Sequence, residues 1–403
     1  MSSQVLLTPT IITKESLVIL ENNLVAANRV NRKFENQFVK IGNSLTIRKP
    51  NRFTVASGAG LQVQNIAEPS VTITVDSQKH VDFQFTSQDL TLTVEEFSER
   101  YLKPAMASLA NQVDFDVISN FTGISDYVGT PTVNPASFSS SVQLTGRRMD
   151  DNAAPQDNRT LMLNPNGYWG LAGGQTNLFV MPTAKDALVK GYLATIGNYE
   201  VYMDQNIQGG QSGVVHNSSI GMAISSATGP QGNGATTVMA GGTPTENMSI
   251  GEVFTVAGVF NVNPQNRQST GVLKNFVVTA TTAAAGSSWA ITFSPSVVTS
   301  GPYQNVSGPM STGAAVTWLT GTTAAQISSP NNLAFTRDAF GLVMVPMEIP
   351  QGVDFAARET YRNISMRVIR AYDINNDVFP TRIDILYGDT VYYQELATRL
   401  GGQ

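Results

Sequence analysis

The sequence contains no cysteine and has few charged residues. The missing cysteine excludes disulfide bonds, thiolate metal sites and cysteine nucleophiles. Charged residues make up 14% of the 403 positions, whereas an average soluble domain has about 25%, so neutral polar side chains must cover much of the surface. Such a surface costs less to desolvate against a partner, which favours extensive self-association. A secreted β-protein rich in Ser, Thr, Asn and Gly is the alternative explanation.

The sequence also lacks segments that would direct the chain to a membrane. Its start, MSSQVLLTPTIITKES, has no basic stretch followed by an apolar one, which argues against a signal peptide. No apolar run approaches the roughly 18 residues of a membrane-spanning helix. We expect no membrane partner, and the absence of cysteine is compatible with a reducing cytoplasm.

Basic residues are too few and too scattered for a protein that wraps nucleic acid. The net charge is -5, and a DNA-wrapping surface needs a basic stripe. The small cluster at Arg29, Arg32 and Lys33 is interpreted as a solvated helix face. Arg147–Arg148 is countered by Asp150–Asp151 in what we interpret as a loop. A wall against which DNA lies without being gripped remains compatible with this charge.

No constellation of residues predicts catalysis. The two histidines, His80 and His216, are isolated, whereas a zinc site needs three or four ligands and a serine triad needs a positioned histidine. Gly210–Gly213 misses the second glycine of the nucleophile elbow, and Gly229–Gly234 lacks the strand and helix that frame a phosphate loop. We therefore predict no enzyme, no cofactor and no catalytic, cofactor-binding or metal-binding residue.

Paired carboxylates occur at two places. Glu95–Glu96 is explained by helix capping, because Thr93 and Glu96 fit a capping box. Asp150–Asp151 is interpreted as a solvated turn. Glycosidases use paired carboxylates, but no other feature of the sequence points to one.

Two long helices are predicted from apolar residues at three- and four-residue steps. The first spans Thr13 to Phe38, and it is either an arm that docks on a neighbour or an ordinary surface helix. The second begins at Thr93, is kinked at Pro104 and ends at Gly123. The stripe of the first helix is Leu17, Leu20, Leu24, Ala27, Val30, Phe34 and Phe38, and that of the second is Phe97, Tyr101, Ala105, Leu109, Val113, Val117 and Phe121.

Alternating apolar and polar residues predict strands elsewhere. Gly42 to Phe85 is interpreted as one long two-stranded ribbon with a flexible tip at Ser57–Gly60. An isolated ribbon is marginal in water, so we expect it to lie on something else, such as a neighbouring subunit. Arg159–Pro165 predicts a short buried strand, followed by a helix from about Asn166, another near Thr183–Leu193 and a strand at Tyr199–Tyr202.

The segment 208–330 is rich in Gly, Ser, Thr and Ala and nearly free of charge. It predicts an inserted β-barrel or sandwich. Its predicted strands are Val253–Val256, Val272–Ala280, Ala290–Phe293 and Ala315–Leu319. Alternating strands at Tyr361–Ala371 and Arg382–Tyr387 close the chain.

These features resemble the coat proteins of tailed phages in their order along the chain and in several short stretches of sequence. The resemblance is closest to the podovirus coat proteins that carry an inserted β-barrel in a Hong Kong 97-type fold. The stretches that carry it are Ser87–Ala105, Leu109–Asp114, Ala154–Pro165, Met248–Val259 and Arg382–Gly388.

The resemblance implies an α+β capsid fold and a major capsid protein whose icosahedral shell encloses double-stranded DNA. It implies hexamers and pentamers of the chain itself, a scaffolding protein, a portal, non-specific contact with packaged DNA and assembly in the host bacterial cytoplasm. A decoration protein stays open, and no residue pair is identifiable as a covalent cross-link. The segments are an N-terminal arm (1–41), an extended loop (42–88), a peripheral domain with a spine helix (89–150), a first axial part (151–207), the inserted barrel (208–330) and closing axial and peripheral strands (331–403).

Two other classes of protein remain as alternatives. A shell subunit of a cellular nanocompartment would share the fold, but the inserted barrel argues against it. A β-rich phage tail or adhesin protein would explain the middle of the chain but not the capped helix or the α/β stretch.

Overall fold

The computed structural model of the chain describes residues 9–34, 43–64, 66, 68–86, 98–131, 141–175, 193, 195–207, 209–211, 223–225, 234–241, 249–280, 288–320, 328–353 and 355–402. The chain divides into two compact units. Unit 1 comprises Met1–Lys49, Ser70–Val117 and Phe340–Thr390. Unit 2 comprises Pro50–Pro69, Ile118–Ala339 and Val391–Gln403.

Among its described residues, unit 1 combines two α-helices with a two-stranded and a five-stranded sheet. Its elements are α1 (Pro9–Asn23), β1 (Ser44–Arg48), β2 (Ser70–Thr74), β3 (Ser77–Thr86), a π-helical turn (Ser98–Leu102), α2 (Lys103–Ser119, in unit 1 up to Val117), β16 (Phe340–Met344), β17 (Phe355–Tyr361), β18 (Ile364–Arg370) and β19 (Val378–Val391).

The helix α1 ends well before the predicted Phe38. Its apolar face and the residues that follow it are buried, including Leu17, Leu20 and Leu24, and α1 contacts β17 and β18 of its own unit. Beyond Asn23, the Asp114 carboxylate accepts the main-chain N–H groups of Val25 at 2.7 Å and of Ala27 at 2.9 Å. These hydrogen bonds take the place of those that would continue the helix. The apolar residues therefore keep their three- and four-residue spacing beyond Asn23, although the chain there is not helical. Phe38 lies outside the described residues.

The ribbon is shorter than the predicted Gly42–Phe85. β1 and β2 pair antiparallel from Ser44↔Thr74 to Arg48↔Ser70. β3 does not join them but pairs along its whole length with β19, from Ser77↔Tyr387 to Thr86↔Val378. The prediction that β3 belongs to the ribbon was wrong, because an alternating pattern reports which face of a strand is buried and not which strand is its partner.

The second helical segment runs from the π-helical turn through α2 to a 3₁₀ turn at Asn120–Gly123. Its end at Gly123 agrees with the prediction, and Leu109, Val113 and Val117 of the predicted stripe are buried. Tyr101 is exposed, against expectation, because it lies in the π-helical turn, whose different pitch moves it off the stripe. The change to α-helix occurs next to Pro104. Thr93 and Phe97 lie outside the described residues.

Unit 2 contains a seven-stranded and a six-stranded sheet. The seven-stranded sheet has the order β4-β20-β15-β5-β7-β6, with β8 on β15. Its elements are β4 (Tyr127–Gly129), α3 (Val142–Asp151), β5 (Arg159–Leu163), α4 (Pro165–Gln175), β6 (Thr195–Ile196), β7 (Tyr199–Met203), β8 (Gly209–Gln211), β15 (Ser328–Thr336), 3₁₀ turns at Arg337–Ala339 and Gln394–Leu396, and β20 (Ala397–Gly401).

The strand predicted at Arg159–Pro165 and the one at Tyr199–Tyr202 are confirmed. All five residues of β5 are buried, and α4 begins at Pro165, where proline suits the first turn of a helix. β7 runs parallel to β5. The helix predicted near Thr183–Leu193 falls almost entirely on residues outside the described ones.

The six-stranded sheet has the order β14-β11-β12-β13-β10-β9. Its strands, rich in Val, Phe and Thr, include all four that the sequence predicts in this segment. They are β9 (Ala223–Ile224), β10 (Ala235–Gly241), β11 (Val253–Val262), β12 (Ser269–Val278), β13 (Ser288–Val297) and β14 (Val316–Trp318). Main-chain bonds also join the two edges: Ile224 donates to Ala314 at 2.9 Å, and Gly313 donates to Ile224 at 2.8 Å.

A buried polar group in unit 2, here called the Asp126 cluster, joins α3 to the six-stranded sheet. Asp126 accepts Nε of Arg148 at 3.0 Å and Nδ2 of Asn152 at 2.5 Å. Arg148 Nη2 donates to the carbonyl of Leu273 in β12 at 2.9 Å, and Asn261 of β11 donates to Asn152 Oδ1 at 3.1 Å. All four polar side chains of the cluster are buried, so each hydrogen bond fixes the position of the element that supplies it.

Two further cations are buried in unit 2. Burial lowers the pKa of the Lys274 amine. The Coulomb attraction of Asp126 acts in the opposite direction and is the second largest influence on this pKa. Burial also lowers the pKa of Arg399, to about 10. Arg399 Nη1 donates to the carbonyl of Gly251 at 2.8 Å. These cations therefore depend on nearby acceptors for their stability.

We expect Asp126→Ala to lower the free energy of unfolding by about 3–5 kcal/mol, since it leaves the buried Arg148 guanidinium without its carboxylate. Asp157→Ala, at an exposed aspartate of the same unit, is the control and should change stability by no more than about 0.5 kcal/mol. Urea unfolding of both variants measures the difference. Equal stabilities would show that the cluster does not hold unit 2 together.

Asp204, after β7, predicts a pH dependence. It is buried, its Oδ1 accepts N–H of Asn206 at 2.8 Å, and its Oδ2 has no hydrogen-bond partner among the described residues. Burial raises the pKa of the Asp204 carboxyl, so the folded chain keeps this proton at a pH where the unfolded chain has lost it. This carboxyl therefore makes the fold less stable as the pH rises above about 4.

Asp204→Asn should be more stable than the original chain at pH 7, and this advantage should shrink as the pH falls towards 4. Asp157→Asn, which changes an exposed carboxyl, is the matched control. Chemical denaturation across this pH range tests the expectation, and an advantage independent of pH would contradict it.

Candidate assembly surface

The residues from which catalysis could be built are not brought together among the described residues. His80 lies on β3, partly exposed, with Nδ1 2.8 Å from Oδ2 of Asp82. His216 lies outside the described residues. Within the described ranges, no group of three or more His, Asp or Glu side chains could hold a metal ion, and no helix is both long and apolar enough to cross a membrane.

Asp150–Asp151 ends the helix α3 and is not the solvated turn predicted from the sequence. Asp150 Oδ1 lies 2.6 Å from Nη2 of Arg159, whose side chain is buried. Asp151 Oδ2 lies 3.8 Å from Nε of Arg147. The prediction failed because the charge partner of Asp150 comes from β5, and because Arg148 of the same helix points into the Asp126 cluster. Glu95–Glu96 lies outside the described residues.

Residues 50–69, here called the loop segment, are anchored by polar contacts within unit 2. Arg52 Nη2 lies 2.5 Å from Glu395 Oε2. The carbonyl of Phe53 accepts Nη2 of Arg267 at 2.6 Å. The Gln64 side chain accepts the Thr54 N–H at 2.7 Å and donates to its carbonyl, so the two sides of the loop segment are tied together.

Beyond these anchors the loop segment exposes a row of aliphatic side chains. Val55, Leu61 and Val63 are 97%, 91% and 82% exposed, and Phe53 and Ile66 are also exposed. Gly58 has a φ of +102° with open space around it, which suits the turn between the two sides. Several large apolar side chains left in water on one segment are typical of a surface that another molecule covers.

The six-stranded sheet presents almost no charge. The segment 208–330 has four charged residues, Glu246, Glu252, Arg267 and Lys274. Of the three that the structure describes, Glu252 and Lys274 are buried and Arg267 is half-buried. The described part of this surface is therefore neutral and inexpensive to desolvate.

Comparison with known protein families identifies the class of protein to which the chain belongs. The family model described as "P22 coat protein - gene protein 5" matches residues 1–398. The chain belongs to the P22 coat protein family. It is therefore a major capsid protein of a tailed bacteriophage and forms the phage shell. Comparison with curated proteins finds no match.

A solved structure agrees with this membership at the level of the fold. A chain from a structure of Mycobacterium phage Che8 shares 12% identity, with a TM-score of 0.51 over 94% of this chain and 90% of that one. The capsid structure of Cyanophage P-SCSP1u shares 11% identity, with a TM-score of 0.46 over 93% and 85%. The mixed helix-and-strand architecture of this P22 coat protein family member matches the phage capsid fold.

Membership of the P22 coat protein family gives the exposed loop segment an explanation. A shell subunit is incomplete as a monomer, so apolar side chains that are exposed on one chain are expected at contacts between copies. Within the loop segment the sequence indicated only a flexible tip at Ser57–Gly60, and it did not single out the exposed apolar side chains. It gave no sign of the Asp126 cluster, whose members come from four separate stretches of chain.

Proposed function

We propose that copies of this chain form the hexamers and pentamers of an icosahedral shell through the loop segment. The observation that carries the proposal is the row of exposed aliphatic side chains at Val55, Leu61 and Val63. Burying one such side chain on assembly contributes about 1.5–3 kcal/mol, or roughly tenfold or more in association constant.

We propose that each segment predicted from the sequence forms one part of the capsid subunit. Residues 1–41 form the arm, 42–88 the extended loop and 89–150 the peripheral domain with the spine helix. Residues 151–207 and 331–403 supply the axial and closing parts around the inserted barrel, 208–330. The described contacts place the arm helix α1 on unit 1 of its own chain, so we propose the loop segment and not α1 as the main contact between copies.

The inserted segment is proposed to be a closed barrel with a core of its own. Hydrogen bonds join the two edges of its sheet, through Ile224. Every member of its main apolar cluster, from Ile224 to Trp318, comes from within 208–330. Phe254, Phe276 and Phe293 pack with ring centroids 5.1–5.9 Å apart at the centre of that cluster. Only a smaller cluster, at Val253 and Val277, also uses a residue from outside the segment, Tyr127. A segment that supplies its main core meets the usual condition for an independent domain.

The partners proposed for the assembling chain are a scaffolding protein, a portal and packaged double-stranded DNA, with a decoration protein as a further candidate. We propose that the shell assembles in the host bacterial cytoplasm. The net charge of -5 supports contact with DNA that is non-specific and weak. A neutral or acidic inner wall would let packaged DNA move past it.

Removing the exposed apolar row should impair assembly while leaving the monomer folded. Both the deletion of Ser57 to Ala67 and the double variant Leu61→Ser/Val63→Ser should leave the monomer folded. The double variant should change the free energy of unfolding by no more than about 0.5 kcal/mol, because Leu61 and Val63 are exposed in the monomer. The deletion should cost more, because it also removes the bonds between Gln64 and Thr54. Sedimentation of assembly reactions should show a lower yield of shells for both.

The control is Gln62→Ser, which changes an exposed polar residue between the two substituted positions and should assemble normally. If the double variant forms shells in normal yield, the loop segment is not a contact between copies. If the deletion unfolds the monomer, the segment is an intrachain element.

The segment 208–330 expressed alone should fold. Its amide NMR spectrum should be dispersed, as expected for a β-sheet with a fixed core. Collapsed resonances would mean that the contacts of Asn261 and Leu273 with the Asp126 cluster are required for folding and that the segment is not an independent domain.

A further inference from the structure

Two turns of the inserted segment, 208–330, contact the base of the loop segment. In the turn between β11 and β12, Nη2 of Arg267 donates to the carbonyl of Phe53 at 2.6 Å. In the turn that follows β13, the hydroxyl of Tyr303 accepts the N–H of Arg52 at 3.4 Å and donates to Oδ1 of Asn51 at 3.3 Å. The guanidinium of Arg52 also lies over the Tyr303 ring, 5.9 Å from its centroid. Consecutive residues of the loop segment are therefore held by one β-sheet.

The loop segment depends on such contacts because its own main chain forms no ladder. Among the described residues 50–64, no main-chain group is hydrogen-bonded to another main-chain group. The main-chain hydrogen bonds made there go to side chains, namely those of Arg267, Tyr303 and, within the loop segment, Gln64. An extended loop without a ladder keeps one direction only where outside groups hold it.

The two turns that hold the loop segment are themselves fixed by hydrogen bonds. Before Arg267, Oδ1 of Asn263 accepts the N–H of Gln265 at 2.9 Å, and Nδ2 of Asn263 donates to the carbonyl of Asp151 in α3 at 3.0 Å. After Tyr303, Nδ2 of Asn305 donates to a carbonyl of β13 at 2.7 Å. A side chain that is carried by a rigid turn can fix the position of a less ordered partner.

The inserted segment uses its one exposed charge for this contact. Of the charged residues described within 208–330, Arg267 is the one that is not buried, and a charged donor forms a stronger hydrogen bond than a neutral one. On the other side of the loop base, Arg52 pairs with Glu395, whose carbonyl accepts Nδ2 of Asn152 at 3.4 Å. The base of the loop segment is thereby also connected to the Asp126 cluster.

We propose that the inserted segment directs the loop segment towards a neighbouring copy, with Arg267 and Tyr303 as the positioning residues. This inference rests on the proposed role of the loop segment as a contact between copies. It gives the inserted segment a task in assembly. By holding the base, the inserted segment limits the directions open to Leu61 and Val63, so less conformational freedom is lost when copies associate.

The first test measures the motion of the loop segment in the monomer. Because the chain contains no cysteine, Ser57→Cys at the exposed tip takes a nitroxide label at a single position. Adding Arg267→Ala and Tyr303→Phe should make this label rotate faster and narrow the lines of its electron paramagnetic resonance spectrum. Gln265→Ala, at an exposed position in the same turn as Arg267, is the control and should leave the spectrum unchanged. An unchanged spectrum in the Arg267→Ala/Tyr303→Phe variant would overturn the proposal.

The second test measures the rate of shell formation by light scattering. Arg267 and Tyr303 lie outside the main apolar cluster of the inserted segment, so the double variant should remain folded, with a urea midpoint close to that of the original chain. A fall of the anchored population to about one tenth should slow assembly about tenfold. Assembly at the original rate, despite a mobile label, would show that the inserted segment does not direct the contact.

The two proposals fail in different ways. Normal assembly of Leu61→Ser/Val63→Ser would refute the contact between copies, whereas the label in the monomer would still report whether the inserted segment holds the loop segment. Impaired assembly of Leu61→Ser/Val63→Ser together with normal assembly of Arg267→Ala/Tyr303→Phe would refute the positioning role alone.

Discussion

The ion pair between Asp126 and Arg148 links the helix α3 to the six-stranded sheet of unit 2. Both side chains are buried, and a buried charge is tolerated only when its partners are held in place. Arg148 fixes α3, Asn152 extends the network beyond the helix end, and the bonds to Leu273 and Asn261 reach the six-stranded sheet.

Charge and apolar surface are distributed in a way that suits a shell subunit. Lys274, Glu252 and Arg399 are buried, whereas Leu61 and Val63 are exposed. In an ordinary soluble monomer, Lys, Glu and Arg are almost never fully buried unless they are paired. For a coat protein the arrangement lowers the cost of association, because the contacts between copies remove apolar side chains from water and require few charges to lose their hydration.

Local patterns predicted most strands and helices of this chain, and their failures have a common cause. The buried strand β5, the strands β11–β14 and the end of the second helical segment at Gly123 all follow from residues within the element itself. The end of α1 at Asn23 does not, because Asp114, far along the chain, accepts the next amides. The pairing of β3 with β19 is equally remote, since it joins residues about 300 positions apart.

The sequence by itself determined the lack of charge and the resemblance to phage coat proteins, because these depend on composition and on short stretches of chain such as Ser87–Ala105. It could not reveal the Asp126 cluster. Asp126, Arg148, Asn261 and Leu273 carry no shared spacing, and each is an unremarkable residue in its own stretch of chain. Only the packing of α3 against the six-stranded sheet brings them within hydrogen-bonding distance. A buried network of this kind is a property of tertiary contacts, which local periodicity does not encode.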